Sequence, residues 1–201
     1  NIEKFVTGLH YPTAMDFSEN GIFVLEKNSG KIFHINLNDD KNIKLVLDLA
    51  VASFSESGLL GITVVEEKYV YLFFSQSEYD KWGLDENTRD VVYRYIWNGN
   101  ELVNPILIKS FDGYHTRHHS GVMTADKTNN VYVFKGDGDS KSIYQNYPDS
   151  NNFESGIFKI DSNNSIELYA MGVRNSFGLA IDPITQNLWE TENGQFTYDE
   201  I

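Results

Sequence analysis

The stretch YHTRHHSGVM (residues 114–123) places His115, His118 and His119, three of the chain's five histidines, directly before an apolar, strand-like run. Imidazole titrates near ~6.5 in the absence of neighbours, so such a cluster can exchange protons near neutral pH or ligate a metal. A three-histidine metal site needs every ring on one side and a further ligand such as a carboxylate in reach, and H-x-x-H-H does not match a standard zinc spacing. In extended backbone, adjacent His118 and His119 point to opposite sides, so one of the two can face a site in this loop. A lone base, or a histidine that simply packs, remains.

Other segments carry complementary chemistry just before similar apolar runs. SFSESGLLG (53–61) holds Glu56, MGVRNSFG (171–178) holds Arg174 and Asn175, and TENGQ (191–195) follows the last such run. Four stretches share one plan of small residue, short apolar strand, polar turn and aromatic-rich strand: PTAMDFSENGIFVLEK, GLLGITVVEEKYVYLFFS, SGVMTADKTNNVYVFKGD and FGLAIDPITQNLWETENG. A recurrence of about 45–60 residues suits a four-stranded propeller blade with long loops, although hairpins in a sandwich can recur at this interval too. In a propeller the first strand of each blade lines the central channel, and the segments before these strands converge into a cup. Glu56, His118, His119, Arg174 and Asn175 would then meet.

The elements that must position them are strands. Twelve Tyr, thirteen Phe and only four Pro in 201 residues favour pleated sheet, and no long amphipathic helical pattern is present. The expected class is all-β. GIFVLEKNSGKIFHINL reads as a hairpin turning at Asn28-Ser29-Gly30, and LLGITVV, KYVYLFFS, VVYRYIW, GVMTAD, NVYVFKGD, SGIFKID, SIELYA, FGLAID and QNLWETENG read as further strands. The net charge of -13 is spread rather than held in a tail, which would repel a nucleic-acid backbone. Cysteine is absent, which removes disulfides, thiolate nucleophiles and zinc thiolates. No apolar run approaches the ~20 residues of a membrane span.

SGLLGI, HHSG with NVYVFKGD after it, GVRNSFGLAIDP, and LWETENG with DEI after it, in that order, resemble the soluble quinoprotein glucose/sorbosone dehydrogenase family, which includes the aldose sugar dehydrogenases. The resemblance implies a six-bladed β-propeller whose cup binds pyrroloquinoline quinone (PQQ) with a calcium ion. It also implies an aldose substrate oxidised at its anomeric carbon to a lactone, an electron acceptor, and a periplasmic or extracellular location. It makes His118 the base, sets Arg174 and Asn175 beside the quinone, puts Glu56 near the cofactor, and gives calcium the carbonyls of Gly194 and Gln195. Six blades at roughly 50 residues each exceed this chain, so residues 1–201 are expected to be the N-terminal part of one propeller domain, about four blades.

The resemblance has departures. Gln195 stands where Pro is usual, Arg117 precedes the base and would disfavour a charged imidazole if close, and His119-Ser120-Gly121 replaces the usual residues after it. Glu56 could equally be an ordinary loop carboxylate, and Asp137 and Asp139 in GDGD read as a polar turn rather than a calcium loop. Two other functions fit the same cup: a non-catalytic propeller that binds a protein or glycan, and a calcium-dependent lactonase.

Overall fold

The computed structural model describes residues 2–38, 42–77, 87–111, 116–138, 155–194 and 199–201. Within them the chain forms four antiparallel sheets, each a meander in which sequence neighbours pair. The first sheet is β1 (Pro12–Ser18), β2 (Gly21–Glu26), β3 (Lys31–Asn36) and β4 (Ile43–Asp48). The second is β5 (Leu59–Val65), β6 (Tyr69–Gln76), β7 (Arg89–Trp97) and β8 (Leu102–Phe111). β9 (Ser120–Ala125), β10 (Val131–Lys135), β11 (Gly156–Ile160) and β12 (Ile166–Ala170) make the third, and β13 (Ser176–Ile181) pairs with β14 (Leu188–Glu192) in the fourth.

The four sequence repeats are the hairpins β1–β2, β5–β6, β9–β10 and β13–β14 that open these sheets. Their first strands lie against one another in turn, β1 on β5, β5 on β9 and β9 on β13. This is a β-propeller arrangement with three four-stranded blades and the inner hairpin of a fourth. A Cβ on Gly61 of β5 would sit 1.8 Å from the Gly121 carbonyl oxygen of β9, so the inner strands approach too closely for a side chain there. Gly121 itself has φ +91°, in the region glycine tolerates.

Strand position within a blade explains residue pattern. β2 (GIFVLE) and β10 (VYVFK) are buried along their whole length because both faces are covered, β10 by the blades on either side and β2 by the second blade on one face and by Val6 and Leu9 of the N-terminal segment on the other. The outermost strands β4 and β8 are mostly exposed, and β8 accommodates Pro105 because an edge strand pairs on one side only. Apolar clusters fill the seams: Phe23, Leu25, Leu59 and Leu72 between the first two blades, Phe73, Phe111, Val133 and Phe158 between the second and third, Phe134 and Leu179 between the third and fourth. No helix of the described residues is long and apolar enough to cross a membrane.

Candidate active site

Opening residues of the inner strands set the register of the cup. Pro12 of β1 pairs with Glu26, Leu59 of β5 with Phe74, Ser120 of β9 with Lys135, and Ser176 of β13 with Glu192. Two residues upstream of β9 and β13 stand His118 and Arg174, which makes them equivalent positions of adjacent blades. They meet: Arg174 Nη2 donates to His118 Nε2 at 2.9 Å.

His118 is buried, and the hydrogen bonds around it define its state. Its Nδ1 lies 2.6 Å from Asp137 Oδ1, and its backbone N–H donates to Glu56 Oε2 at 2.6 Å. A guanidinium only donates, so Nε2 is the acceptor and the ring proton belongs on Nδ1, directed at Asp137. The backbone here is not extended: His118 has φ +56° and Ser120 φ +58°. The two neighbouring histidines still diverge, but through this kink rather than a strand's alternation.

His119 turns the other way, into the seam between the second and third blades. Its Nδ1 donates to Asp90 of β7, 2.8 Å from Oδ2 and 3.0 Å from Oδ1. Lys135 Nζ lies 3.3 Å from the same Oδ2, and Ser75 Oγ donates to Oδ1 at 2.7 Å. All four residues are buried. Burial alone would raise the Asp90 carboxyl, but the Lys135 charge and the hydrogen bonds from His119 and Ser75 outweigh it and hold Asp90 well below the usual carboxylate range.

Arg174 Nη1 donates to the Asn193 carbonyl at 2.9 Å, and Arg174 N–H to Glu192 Oε1 at 2.7 Å. Buried Asn175 accepts from Ser120 Oγ at 2.6 Å, and its carbonyl takes the Asn193 N–H at 2.8 Å. Beside the cup, burial lowers the Lys27 ammonium while the Glu56 charge acts in the opposite direction.

Of the residues singled out from sequence, the fold brings Glu56, His118, Arg174 and Asn175 together, with Gly194 next to Asn193 at the end of the same cluster. Gly194 donates its N–H to Asp199 Oδ1 at 3.0 Å. His115, Asp139 and Gln195 lie outside the described residues. Among the described residues no group of three His, Asp or Glu side chains could hold a metal, so a cation bound by those residues alone would rely on carbonyl oxygens.

Two readings change. Asp137 is not merely part of a polar turn; it is the carboxylate that orients His118. Arg117 is exposed, and the arginine on the imidazole is Arg174. Asp90, Lys135 and Ser75 escape the sequence reading altogether. Their signal is weak: a polar or charged residue at or next to the end of an otherwise apolar run, in RDVVYRYIW, NVYVFKGD and KYVYLFFS.

Residues 9–201 match the family model described as glucose/sorbosone dehydrogenase. The chain belongs to this family. A Thermus thermophilus structure described as a putative oxidoreductase (glucose dehydrogenase) shares the fold with a TM-score of 0.81 and 23% identity, covering 97% of this chain and 62% of that one. The PQQ-bound aldose sugar dehydrogenase of Streptomyces coelicolor follows at TM-score 0.79 and 20% identity, covering 96% and 60%. The apo soluble aldose sugar dehydrogenase of Escherichia coli gives 0.77 and 17%, with the same coverage. An uncharacterised Synechocystis protein is 24% identical over 98% of this chain and 55% of its own length. The chain therefore spans 60–62% of the length of these solved glucose/sorbosone dehydrogenase relatives. The family is one of sugar oxidoreductases.

Proposed function

We propose that residues 1–201 carry the base and the cofactor-orienting side chains of a PQQ- and calcium-dependent aldose dehydrogenase that oxidises a sugar at its anomeric carbon to a lactone. The observation that carries the reading is the His118 imidazole, bracketed by a carboxylate at Nδ1 and a guanidinium at Nε2. Asp137 fixes the tautomer that leaves Nε2 as the basic nitrogen, and its negative charge stabilises the imidazolium formed when Nε2 takes the proton of the sugar hydroxyl.

The donor set suits an anionic quinone. Arg174 uses two of its five N–H donors in the bonds to His118 and Asn193, and Asn175 spends its Oδ1 on Ser120, which leaves cationic and amide donors for a ligand's oxygens. In a chain of net charge -13 this local cation is what an anion would seek. When bound, PQQ supplies the hydride acceptor. Calcium would be held by the Gly194 and Gln195 carbonyls together with oxygens of the ligand.

Glu56 acts through the backbone in this reading, because one of its oxygens is committed to the His118 N–H. Arg174 has a double task. For Nε2 to accept a proton it must give up its bond to the imidazole, which couples the base to whatever anion claims the guanidinium. The test is reconstitution of the full-length protein with PQQ and calcium, followed by dye reduction across a panel of aldoses. Quinone binding with aldose-dependent turnover is the expected result; the absence of both ends the proposal.

A further inference from the structure

The Asp90, His119 and Lys135 cluster makes no contact that the proposed chemistry requires, yet it joins the segments on either side of the base. Asp90 belongs to the second blade, while His119 and Lys135 belong to the third. Lys135 Nζ reaches Asp90 and also donates to the Gly136 carbonyl at 2.8 Å, so it pins the peptide that leads into Asp137. The same segment is laid against the histidines: Gly136 N–H donates to His119 O at 3.3 Å, and Gly138 N–H to His118 O at 3.4 Å. A Cβ on Gly136 would stand 2.0 Å from the His118 carbonyl oxygen, so the two segments are in direct backbone contact.

We infer that the buried Asp90, Lys135 and His119 side chains are a positioning device: anchored in the second blade, they set the relative placement of the His118 loop and Asp137 and so hold the base in one tautomer. The inference rests on His118 being the base. Asp90 grips both segments at once, His119 from one and Lys135 from the other, and is itself fixed by Ser75. His119 contributes through Nδ1 alone, because its buried Nε2 has no partner among the described residues. An asparagine, whose amide nitrogen lies as far from the backbone as Nδ1, can therefore replace it, and a phenylalanine cannot.

The test uses the full-length protein. In the quinone-free form, long-range 1H–15N spectra of histidine-labelled protein, with His118→Ala to assign the signal, report the His118 tautomer. The expected wild-type state is a proton on Nδ1 alone. In Lys135→Met and His119→Phe that single state is lost, and in the PQQ-loaded form kcat falls about 10- to 100-fold with KM within about twofold, as expected when a reacting group loses its outer support. His119→Asn and Lys135→Arg keep the tautomer. A structural role alone would lower the unfolding midpoint and leave the tautomer unmoved. Should Lys135→Met not fold, Asp90→Asn/Lys135→Met removes both charges and is read by the same criterion. A folded variant of either kind with the wild-type His118 spectrum overturns the inference, as does a wild-type protein with the proton on Nε2. Because the tautomer is read without quinone, a protein with the expected tautomer and no aldose turnover would refute the proposed reaction and leave the positioning role standing.

Discussion

The mouth of the third blade is built differently from those of the first and fourth. In the first, Glu26 pairs across from Pro12 and its carboxylate takes the His10 N–H at 2.7 Å; in the fourth, Glu192 pairs across from Ser176 and takes the Arg174 N–H at 2.7 Å. Each blade caps its own approach loop. In the third, the same register holds Lys135, which reaches into the second blade, and the His118 N–H is received by Glu56 from the loop ahead of the second blade. The loop bearing His118, the proposed base, is thus held from the neighbouring blade. A buried ion pair is a poor source of net stability, since desolvation offsets its attraction, but it penalises any arrangement that separates the partners. The charges sit where geometry, more than stability, is at stake.

The largest effect that bears on this contrast is expected at the proposed base. His118→Ala should lower kcat by about 10²- to 10⁴-fold while the quinone still binds, measured by dye-coupled kinetics and quinone titration. Retained turnover would mean that the third mouth has no chemical reason to differ. Next, Lys135→Met should destabilise the fold by about 3–5 kcal/mol in denaturant titrations, because it leaves Asp90 buried without its cation. Asp90→Asn/Lys135→Met should recover much of that loss.

Acid should expose the same pair. The Asp90 carboxyl is depressed in the folded state by Lys135, His119 and Ser75 against the opposing effect of burial, whereas in the unfolded chain it titrates near ~3.9. Its contribution is complete above the unfolded value and is lost as pH falls below ~4 toward the folded one, so wild type should lose stability there more steeply than Asp90→Asn/Lys135→Met. Equal slopes would show that the pair is not ionised. The smallest effect belongs to the first blade: Glu26→Gln keeps an acceptor for His10 and should cost about 1 kcal/mol, with kcat unchanged. If it lowered kcat as Lys135→Met does, the distinction between self-capped and cross-capped mouths would fail.

Much of the fold is legible because propeller hairpins repeat, and the four recurring stretches are the four inner hairpins. β4 and β8 escape a sequence reading, since neither shows a regular alternation of burial and β8 contains Pro105, whereas the outermost strand β12 alternates half-buried and exposed residues and reads as a strand. Within the candidate site, the convergence of His118, Arg174 and Asn175 is legible because each stands at the approach to an inner strand. Asp137 lies 19 residues from His118 and looks like turn chemistry. Asp90 and Lys135 are visible as charges in apolar runs, but their pairing is made by the packing of two blades, which no local pattern encodes.

The central claim is that Nε2 of the His118 imidazole, the ring held between Asp137 and Arg174, takes the substrate's proton. It is tested most directly by mixing aldose with quinone-loaded full-length protein, wild type and His118→Ala side by side, and following the quinone absorbance. Rapid aldose-dependent bleaching in wild type, with a bound but unreduced quinone in the variant, is the predicted result; equal bleaching in both would contradict the assignment.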